Sequence, residues 1–550
     1  MPVYVPLSAA APGLPRLRQP QCTTGDGAGE KGIPPQPEDP RTGNPDGAVC
    51  SHSVSAMETQ NFLVADCFIA VDMKSYYASI ECLYRHVDPL KANLLVADPT
   101  RSDQTICLAV SPALKAIGVP SRPRLFEAKR AIADYERRHH TRILYYIAPP
   151  RMAEYERVSA LIYSVILRYA APEDVHVYSV DESFIYATPY LHLYKDEAVR
   201  TGQHPAHVMA MTMIRDILKT TGITATVGIG TNLYLAKVAM DITAKKAAPD
   251  KDGVRIAELN EDSYCYQLWD HKPLTDFWQV GPGKANRLQK NYMFTMGDVA
   301  QRSVNDEGWF YKEFGIDGEI LIDHAWGIEP VSMKDIKSYR PEKHSLSNGQ
   351  VLPRPYKFAE GRNVFLEMID VLCHQMFTKG LIARVFTWWC SFDYKSLDEV
   401  PSYNGPIVLD FYGRWHPKHS NGTVRFSDAT NSVSTVSAAL VEQFDRKIDH
   451  RLLIRRLGVN ADKTSYDDGV YQLNLFTDYD ALEKEKRIQG AMLEIRTRFG
   501  RNAVVKGINM LDGATTIERN SQIGGHKSGE LGMLPAEVAA REAAKNSKKH

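Results

Sequence analysis

A multidomain α+β fold is predicted for this chain by three observations. Its 550 residues are enough for about three to four domains with separate cores. Its apolar runs are short and switch between strand-like and helix-like spacing. Hydrophobic residues make up 44% and charged residues 24%, an ordinary globular composition. No apolar run approaches the roughly 18 residues that would suggest a membrane span, and none is predicted.

Residues 1–60 are predicted to be a disordered extension. Ten of the 31 prolines precede Met57, and aromatic or β-branched residues are few. This segment reads as dispensable, or as the product of an upstream start site. It has no basic start followed by an apolar core, so it is a poor signal peptide.

From residue 66 the elements follow in order. CFIAVDM reads as a buried strand, and YYASIECLYR as a helix with apolar positions three and four apart. ICLAV is a strand, and PALKAIG a short helix closed by Gly118. TRILYYIA is a strand, and MAEYERVSALIYSVILRYA a long amphipathic helix. VYSVDESFIYA, from Val177 to Ala187, reads as the next strand. A helix around 205–220, the strand ITATVGIG and the helix NLYLAKVAMDITAKK follow. Strand, helix, two strands, helix, strand is a ferredoxin-like order, with an antiparallel sheet covered by helices.

Residues 257–332 read as short helices with Gly-rich turns, and 333–345 as a polar linker. Residues 346–459 alternate strands such as ARVFTWWCSFDY with helices, a second α+β domain. From 460 to 550 the chain is polar, and a flexible tail is expected.

Charge alone says little about partners. Lys plus Arg and Asp plus Glu are 66 each, so any basic surface is local. Residues 340–459 hold 16 Lys and Arg against 12 Asp and Glu, a modest excess compatible with phosphate binding. The eight cysteines form no C-x2-C pair, which argues against zinc and for free thiols in a reducing compartment, the cytoplasm.

One anomaly carries chemistry. Asp181 and Glu182 sit side by side within an apolar strand pattern, where acids gain little and cost much when desolvated. A turn with solvated acids is one explanation. The other is a metal site, because Asp72 ends the first strand and the ferredoxin-like order makes the two strands neighbours. Three carboxylates so close need compensating cations, and all-oxygen ligands select Mg²⁺, with Mn²⁺ as a substitute. Two such ions form the clamp used in phosphoryl transfer. Lys237, early in the helix after VGIG, and Lys115 in SPALKAIG are candidate phosphate contacts, each also readable as a solvated helix residue.

AVDMKSYYASIE, SVDESF and TVGIGTNLYLAKVA, in this order, resemble the Y-family (translesion) DNA polymerases of the UmuC/DinB type. SPALKAIGVPSR, RMAEYERVSA and NSQIGGHKSGE resemble most the UvrX-like branch. The resemblance covers roughly 66–525. It implies that Asp72, Asp181 and Glu182 are the catalytic, metal-binding carboxylates, with the backbone carbonyl of Met73 as a further ligand. It implies that Tyr77 is the steric gate against a ribose 2′-OH; packing in a core is the other reading of that ring. Lys237 and Lys115 become triphosphate contacts. Pro112 stands where many members place a Tyr on the phosphates, a departure on that side of the nucleotide.

By the same implication, 66–256 is palm and fingers (fingers about 76–142), 257–332 a helical thumb and 346–459 the little finger. QVGPGKANRLQK resembles a helix-hairpin-helix, where Gly281 and Gly283 admit a DNA phosphate and Lys284 adds charge. Gln472, Leu473, Leu475 and Phe476, in QLNLF, match the peptide by which bacterial polymerases grip the sliding clamp. Two leucines and a phenylalanine in a polar tail otherwise lack a core to join. A strand folded back on the little finger is the rival reading.

The expected function is error-prone DNA synthesis past damaged template bases, in an SOS-type repair response. The expected partners are primer-template DNA, dNTPs, the clamp and accessory SOS proteins. Two alternatives stay open: a non-catalytic, clamp-bound repair scaffold, and another two-metal nucleotidyl enzyme on the same palm.

Overall fold

The computed structural model describes residues 66–340, 344–469 and 478–540. The chain divides into two compact units. One holds the residues up to Met73 with Tyr163–Ile217 and Thr224–Ser338; the other holds Lys74–Ile162, Leu218–Ile223 and the residues from Tyr339 on.

The first unit is built on a five-stranded sheet. Its strands are β1 (Phe68–Met73), β2 (Val175–Val177), β3 (Glu182–Tyr186), β4 (Ala225–Gly230) and β5 (Arg255–Leu259). Their spatial order is β2-β3-β1-β4-β5. β1 lies between β3 and β4, antiparallel to both, and β5 adds parallel to β4. Without β5 this is the ferredoxin-like sheet that the element order predicted.

Period-two alternation divides β1 between two faces. Phe68, Ala70 and Asp72 share one, and Phe68 and Ala70 pack there with Phe184 against Leu233, Ala236 and Met240. Those three belong to the helical run from Leu233 to Lys246, which passes through a π turn at Ala239–Thr243. The run lies unusually close to the sheet. A Cβ at Gly228 would overlap the Ala236 carbonyl and the Met240 amide, and one at Gly230 would overlap the Ala236 amide. Glycine is therefore required at both positions for this helix to seat. The other side of the same helix, with Tyr234, Leu235 and Val238, joins the core of the short helices between Glu261 and Ala325.

Two expectations are corrected here. The stretch read as one strand, Val177–Ala187, is a hairpin. The amides of Tyr178 and Ser179 both donate to the Glu182 carbonyl, so the chain bends between β2 and β3. The polar linker at 333–345 begins as a helix, Met333–Ser338. Met333 and Ile336, three residues apart, bury in the sheet core, and the Lys337 ammonium donates to the Val175 carbonyl at 2.6 Å.

The second unit contains a small three-stranded sheet (Leu94–Val96, Ala109–Val110, Tyr146–Ala148) beneath the helix Leu125–His139. It also contains an antiparallel four-stranded sheet of β6 (His344–Tyr356), β7 (Leu381–Phe392), β8 (Ser420–Thr430) and β9 (Ile454–Tyr466), in the order β8-β7-β9-β6. The helices Phe358–Thr378 and Val433–Lys447 cover this sheet around Phe365, Trp388 and Phe444.

The described residues beyond 460, to 469 and from 478 to 540, are not the flexible tail expected from their polarity. β9 runs to Tyr466 and a helix spans Tyr479–Phe499. Its polar side chains are consumed within the fold: Glu485 accepts from the Ser432 and Ser434 hydroxyls, Lys506 pairs with Asp370, and Asn509 donates to Glu367. Further on, Ala153 donates to the Ser528 carbonyl, Gly532 to Glu154, and Arg157 grips Glu537 through two hydrogen bonds. The candidate clamp peptide, Gln472 to Phe476, lies outside the described residues. Among those residues the cysteines are free thiols, and no helix is long and apolar enough to cross a membrane.

Candidate active site

The anomaly of the sequence sits at the centre of the first unit's sheet. Asp72 on β1 is paired in register with Glu182 on β3, and on its other side with Thr226 on β4. Asp181 occupies the bend just before β3. Its carbonyl accepts from the Met73 amide at 2.9 Å, which fastens the bend to the end of β1. Its carboxylate accepts from the Ser179 hydroxyl at 2.6 Å. All three acids are thus placed by sheet register and by one tight turn. Asp181 does stand on a turn, and that turn sets it beside the paired Asp72 and Glu182.

Lys237 stands over this group. Gly228 and Gly230 let its helix approach, and Asn232 caps that helix by accepting from the Leu235 amide. The side chain is 7% exposed. Its Nζ lies 2.7 Å from Glu182 Oε1 and 3.0 Å from Asp241 Oδ2, and 5.9 Å from the centre of the Tyr178 ring. The Glu182 approach is an ion pair without good hydrogen-bond alignment, for that buried oxygen accepts no hydrogen bond.

The electrostatics follow from this packing. Burial, then Asp181 and Glu182, push the Asp72 carboxyl up to about 7, with Lys237 acting the other way. Burial also raises Glu182, opposed by Lys237. Burial alone would lower the Lys237 ammonium; Glu182 and Asp241 overcome it and its pKa is raised. The site is an excess of partly buried negative charge with the Lys237 ammonium as counter-ion.

Sequence reasoning missed Asp241 and Ser179. Asp241 follows Lys237 by four residues on the helix, a spacing at which opposite charges meet. It falls in the π turn, a form frequent at functional sites.

Among the described residues, no three or more His, Cys, Asp or Glu side chains converge into a ready metal cage. The reason is visible: Glu182 and Asp241 are turned to Lys237. The donor set nevertheless fits a hard divalent cation. It is all oxygen, it holds more negative charge than Lys237 balances, and its buried Glu182 oxygen is met by Lys237 as an ion pair.

Tyr77 and Lys115 belong to the second unit. Tyr76 is 2% exposed and its hydroxyl donates to the Tyr155 carbonyl at 2.7 Å, so it is the core ring of the pair. Tyr77 is only partly buried and stacks on Tyr155 at 4.5 Å. The Lys115 ammonium donates to Ser75 Oγ at 2.9 Å. Pro112 opens the helix Pro112–Ala116, and the preceding Ser111 is buried, with its hydroxyl accepting from the Leu94 amide.

In the first unit, Gly281 and Gly283 open the helix Pro282–Lys290. A Cβ at either would meet nothing within 4 Å, so packing does not require glycine there. Lys284 is paired with Asp317 at 3.1 Å.

Comparison with known proteins agrees with this architecture. The impB/mucB/samB family profile matches residues 71–241, the span from β1 to the helix of Lys237. UvrX of Bacillus subtilis (strain 168), named for UV-damage repair, is 28% identical over 84% of this chain and 97% of its own. DNA polymerase IV 2 of the same organism is 29% identical over 83% of this chain and 97% of its own. Among solved structures, a Y-family DNA polymerase chimera of Dbh and Dpo4 superposes with a TM-score of 0.50 at 17% identity. It covers 72% of this chain and 98% of that one. Residues 71–241 thus match the impB/mucB/samB family, and the chain has the fold of a Y-family DNA polymerase, with acids at the centre of its ferredoxin-like sheet and a lysine helix seated on two glycines.

Proposed function

We propose that this chain is a DNA-directed DNA polymerase that copies past damaged template bases, error-prone and part of an SOS-type response in the cytoplasm. The observation that carries the reading is Asp72 set directly opposite Glu182 in the sheet, with Asp181 fastened beside them and Lys237 as the buried counter-ion. Its relatives named for UV-damage repair and as DNA polymerase IV support it.

In this reading Asp72, Asp181, Glu182 and the Met73 carbonyl hold two Mg²⁺ ions, for which Mn²⁺ substitutes. When bound, such ions neutralise the carboxylates and stabilise the attacking and leaving oxygens of phosphoryl transfer. The chain's residues do the rest. Asp181 stays in place because Ser179 and Met73 hold it on two sides. Lys237, once the acids are otherwise neutralised, presents its ammonium to the triphosphate. Lys115 contributes a second positive charge, and Tyr77 sets its ring where a ribose 2′-OH would stand.

The primer 3′-OH attacks the α-phosphorus of a dNTP. A new P–O bond forms, the bond from the α-phosphorus to the bridging oxygen breaks, the hydroxyl proton passes to solvent, and pyrophosphate leaves. Gly281 and Gly283 leave backbone amides open to a phosphate of the duplex, and Lys284 exchanges Asp317 for that phosphate. Gln472, Leu473, Leu475 and Phe476 take the sliding clamp, and accessory SOS proteins complete the assembly.

Primer extension with dNTPs and Mg²⁺ tests the proposal. Wild-type protein adds nucleotides, and Asp181→Ala falls below about a hundredth of that rate while melting as a folded protein. A variant that still extends above this level would remove the carboxylates from the mechanism. A wild-type protein that never extends would return the scaffold alternative.

A further inference from the structure

The second unit carries a feature that its own folding does not explain. Between β7 and β8 the chain makes a small hairpin, with Ile407–Leu409 paired to Trp415–Pro417. Its tip is rigid. The Asp410 carboxylate accepts from the amides of Tyr412 and Arg414 and from the Arg414 guanidinium, and Gly413 supplies the left-handed residue, φ 75°. Yet the tip presents Phe411 at 93% exposure and Trp415 at 55%. Large rings held out by a stiff turn bring nothing to the core and mark a contact surface.

The surroundings of these rings are basic. Arg124 donates to the Tyr412 hydroxyl at 2.7 Å, and the Arg414 guanidinium stacks over the Tyr394 ring at 4.5 Å. Arg124 and Arg414 both stand over the Tyr412 ring, at 5.6 and 5.2 Å, and Arg455 lies 3.7 Å from Asp393. Burial lowers the Arg455 pKa, and Arg456, Arg124 and Arg414 add to it. Two acids, Asp393 and Asp410, answer the four guanidinium groups. The patch keeps a net positive charge and suits a polyanion.

Exposed aromatic faces among arginines match unpaired nucleic acid. Bases in a duplex already stack on one another, whereas those of a single strand have free faces for rings. We propose that the hairpin tip binds the single-stranded template, stacking bases on Phe411 and Trp415 while the arginines hold its phosphates. This rests on the polymerase reading above and adds a site to it.

The test uses the full chain and a labelled primer-template in two forms, one with a long 5′ template overhang and one with an overhang of a single nucleotide. Wild-type protein is expected to prefer the long overhang. The double variant Phe411→Ala, Trp415→Ala should lose about tenfold or more of that preference. Phe411→Tyr, Trp415→Tyr, which keeps a ring at both positions, should restore it. Arg456→Ala should instead shallow the salt dependence of binding to the long overhang. The proposal is overturned if wild type shows no preference, if the alanine variant keeps it, or if the tyrosine variant fails to restore it while melting normally. Extension by wild type on the single-nucleotide overhang reports separately on the polymerase reading, whose failure is thereby distinguished.

Discussion

Asp72 shows how one side chain records the demands of the site. Its carboxyl, raised to about 7 by burial and two neighbouring acids, compares with an ordinary value of 3.8. Below the ordinary value it is protonated whether the chain is folded or not. As pH rises from there toward 7, the unfolded chain gives up this proton and the folded chain keeps it, so stability falls. The loss attributable to this group is at most about 4 kcal/mol. Without metal, thermal stability should therefore decline from about pH 4 to pH 7 more steeply in wild type than in Asp72→Asn. Mg²⁺ should remove much of the difference. Melting curves in chelator and in Mg²⁺ measure this, and parallel pH profiles in chelator would refute it. Tyr77 makes a different kind of demand. Tyr77→Ala should raise the ratio of ribonucleotide to deoxyribonucleotide incorporation by about tenfold or more, the effect of relieving a clash above 1.4 kcal/mol. Its lost stacking on Tyr155 should cost about 0.5–1.5 kcal/mol of stability. An unchanged ratio with that stability loss would make Tyr77 a packing residue only.

Among the elements, the helix carrying Lys237 is the most constrained. It reaches Glu182 only because β4 has no Cβ at Gly228 or Gly230. Gly228→Ala would press a methyl group into the Ala236 carbonyl. It should cost on the order of 3 kcal/mol by urea unfolding and slow incorporation more than it weakens DNA binding. An unchanged unfolding midpoint would show that the helix stands off the strand. The same elements show what a sequence discloses. An acid ending an apolar run is an anomaly, so Asp72, Asp181 and Glu182 were legible, as was the sheet that joins them. Asp241 was not, because an acid four residues after a lysine is ordinary on any helix. The bend at 179–181 was hidden because Val180 continues the apolar pattern, while two amides donating to the Glu182 carbonyl decide the turn. Polarity misled beyond residue 460: Glu485, Lys506 and Glu537 read as solvated, and each has a partner far away in the chain.

On the scale of the whole molecule, the proposed clamp peptide, Gln472 to Phe476, should act independently of the proposed catalytic site. Leu475→Ala with Phe476→Ala should abolish clamp binding and the longer products that a clamp permits. Burial of two such side chains is worth about 1.5–3 kcal/mol each before ordering costs, which sets a modest affinity, around micromolar. Short extension on bare primer-template should persist. A lower melting temperature or a loss of short extension would assign these residues to packing instead.

The grip of Arg157 on Glu537 spans 380 residues of chain. A ribosome adding about 5–20 residues per second needs roughly 20–80 seconds to bring the second group out after the first. Through that interval Arg157 has not met Glu537, and Glu154 lacks the Gly532 amide that completes its buried shell. Closure over so long a separation is intrinsically slow. The helix Met152–Ile166 is thus made early and completed only after Glu537 has been made. On a translating ribosome it presents an incomplete charged face until Gly532 and Glu537 have emerged and folded back onto it.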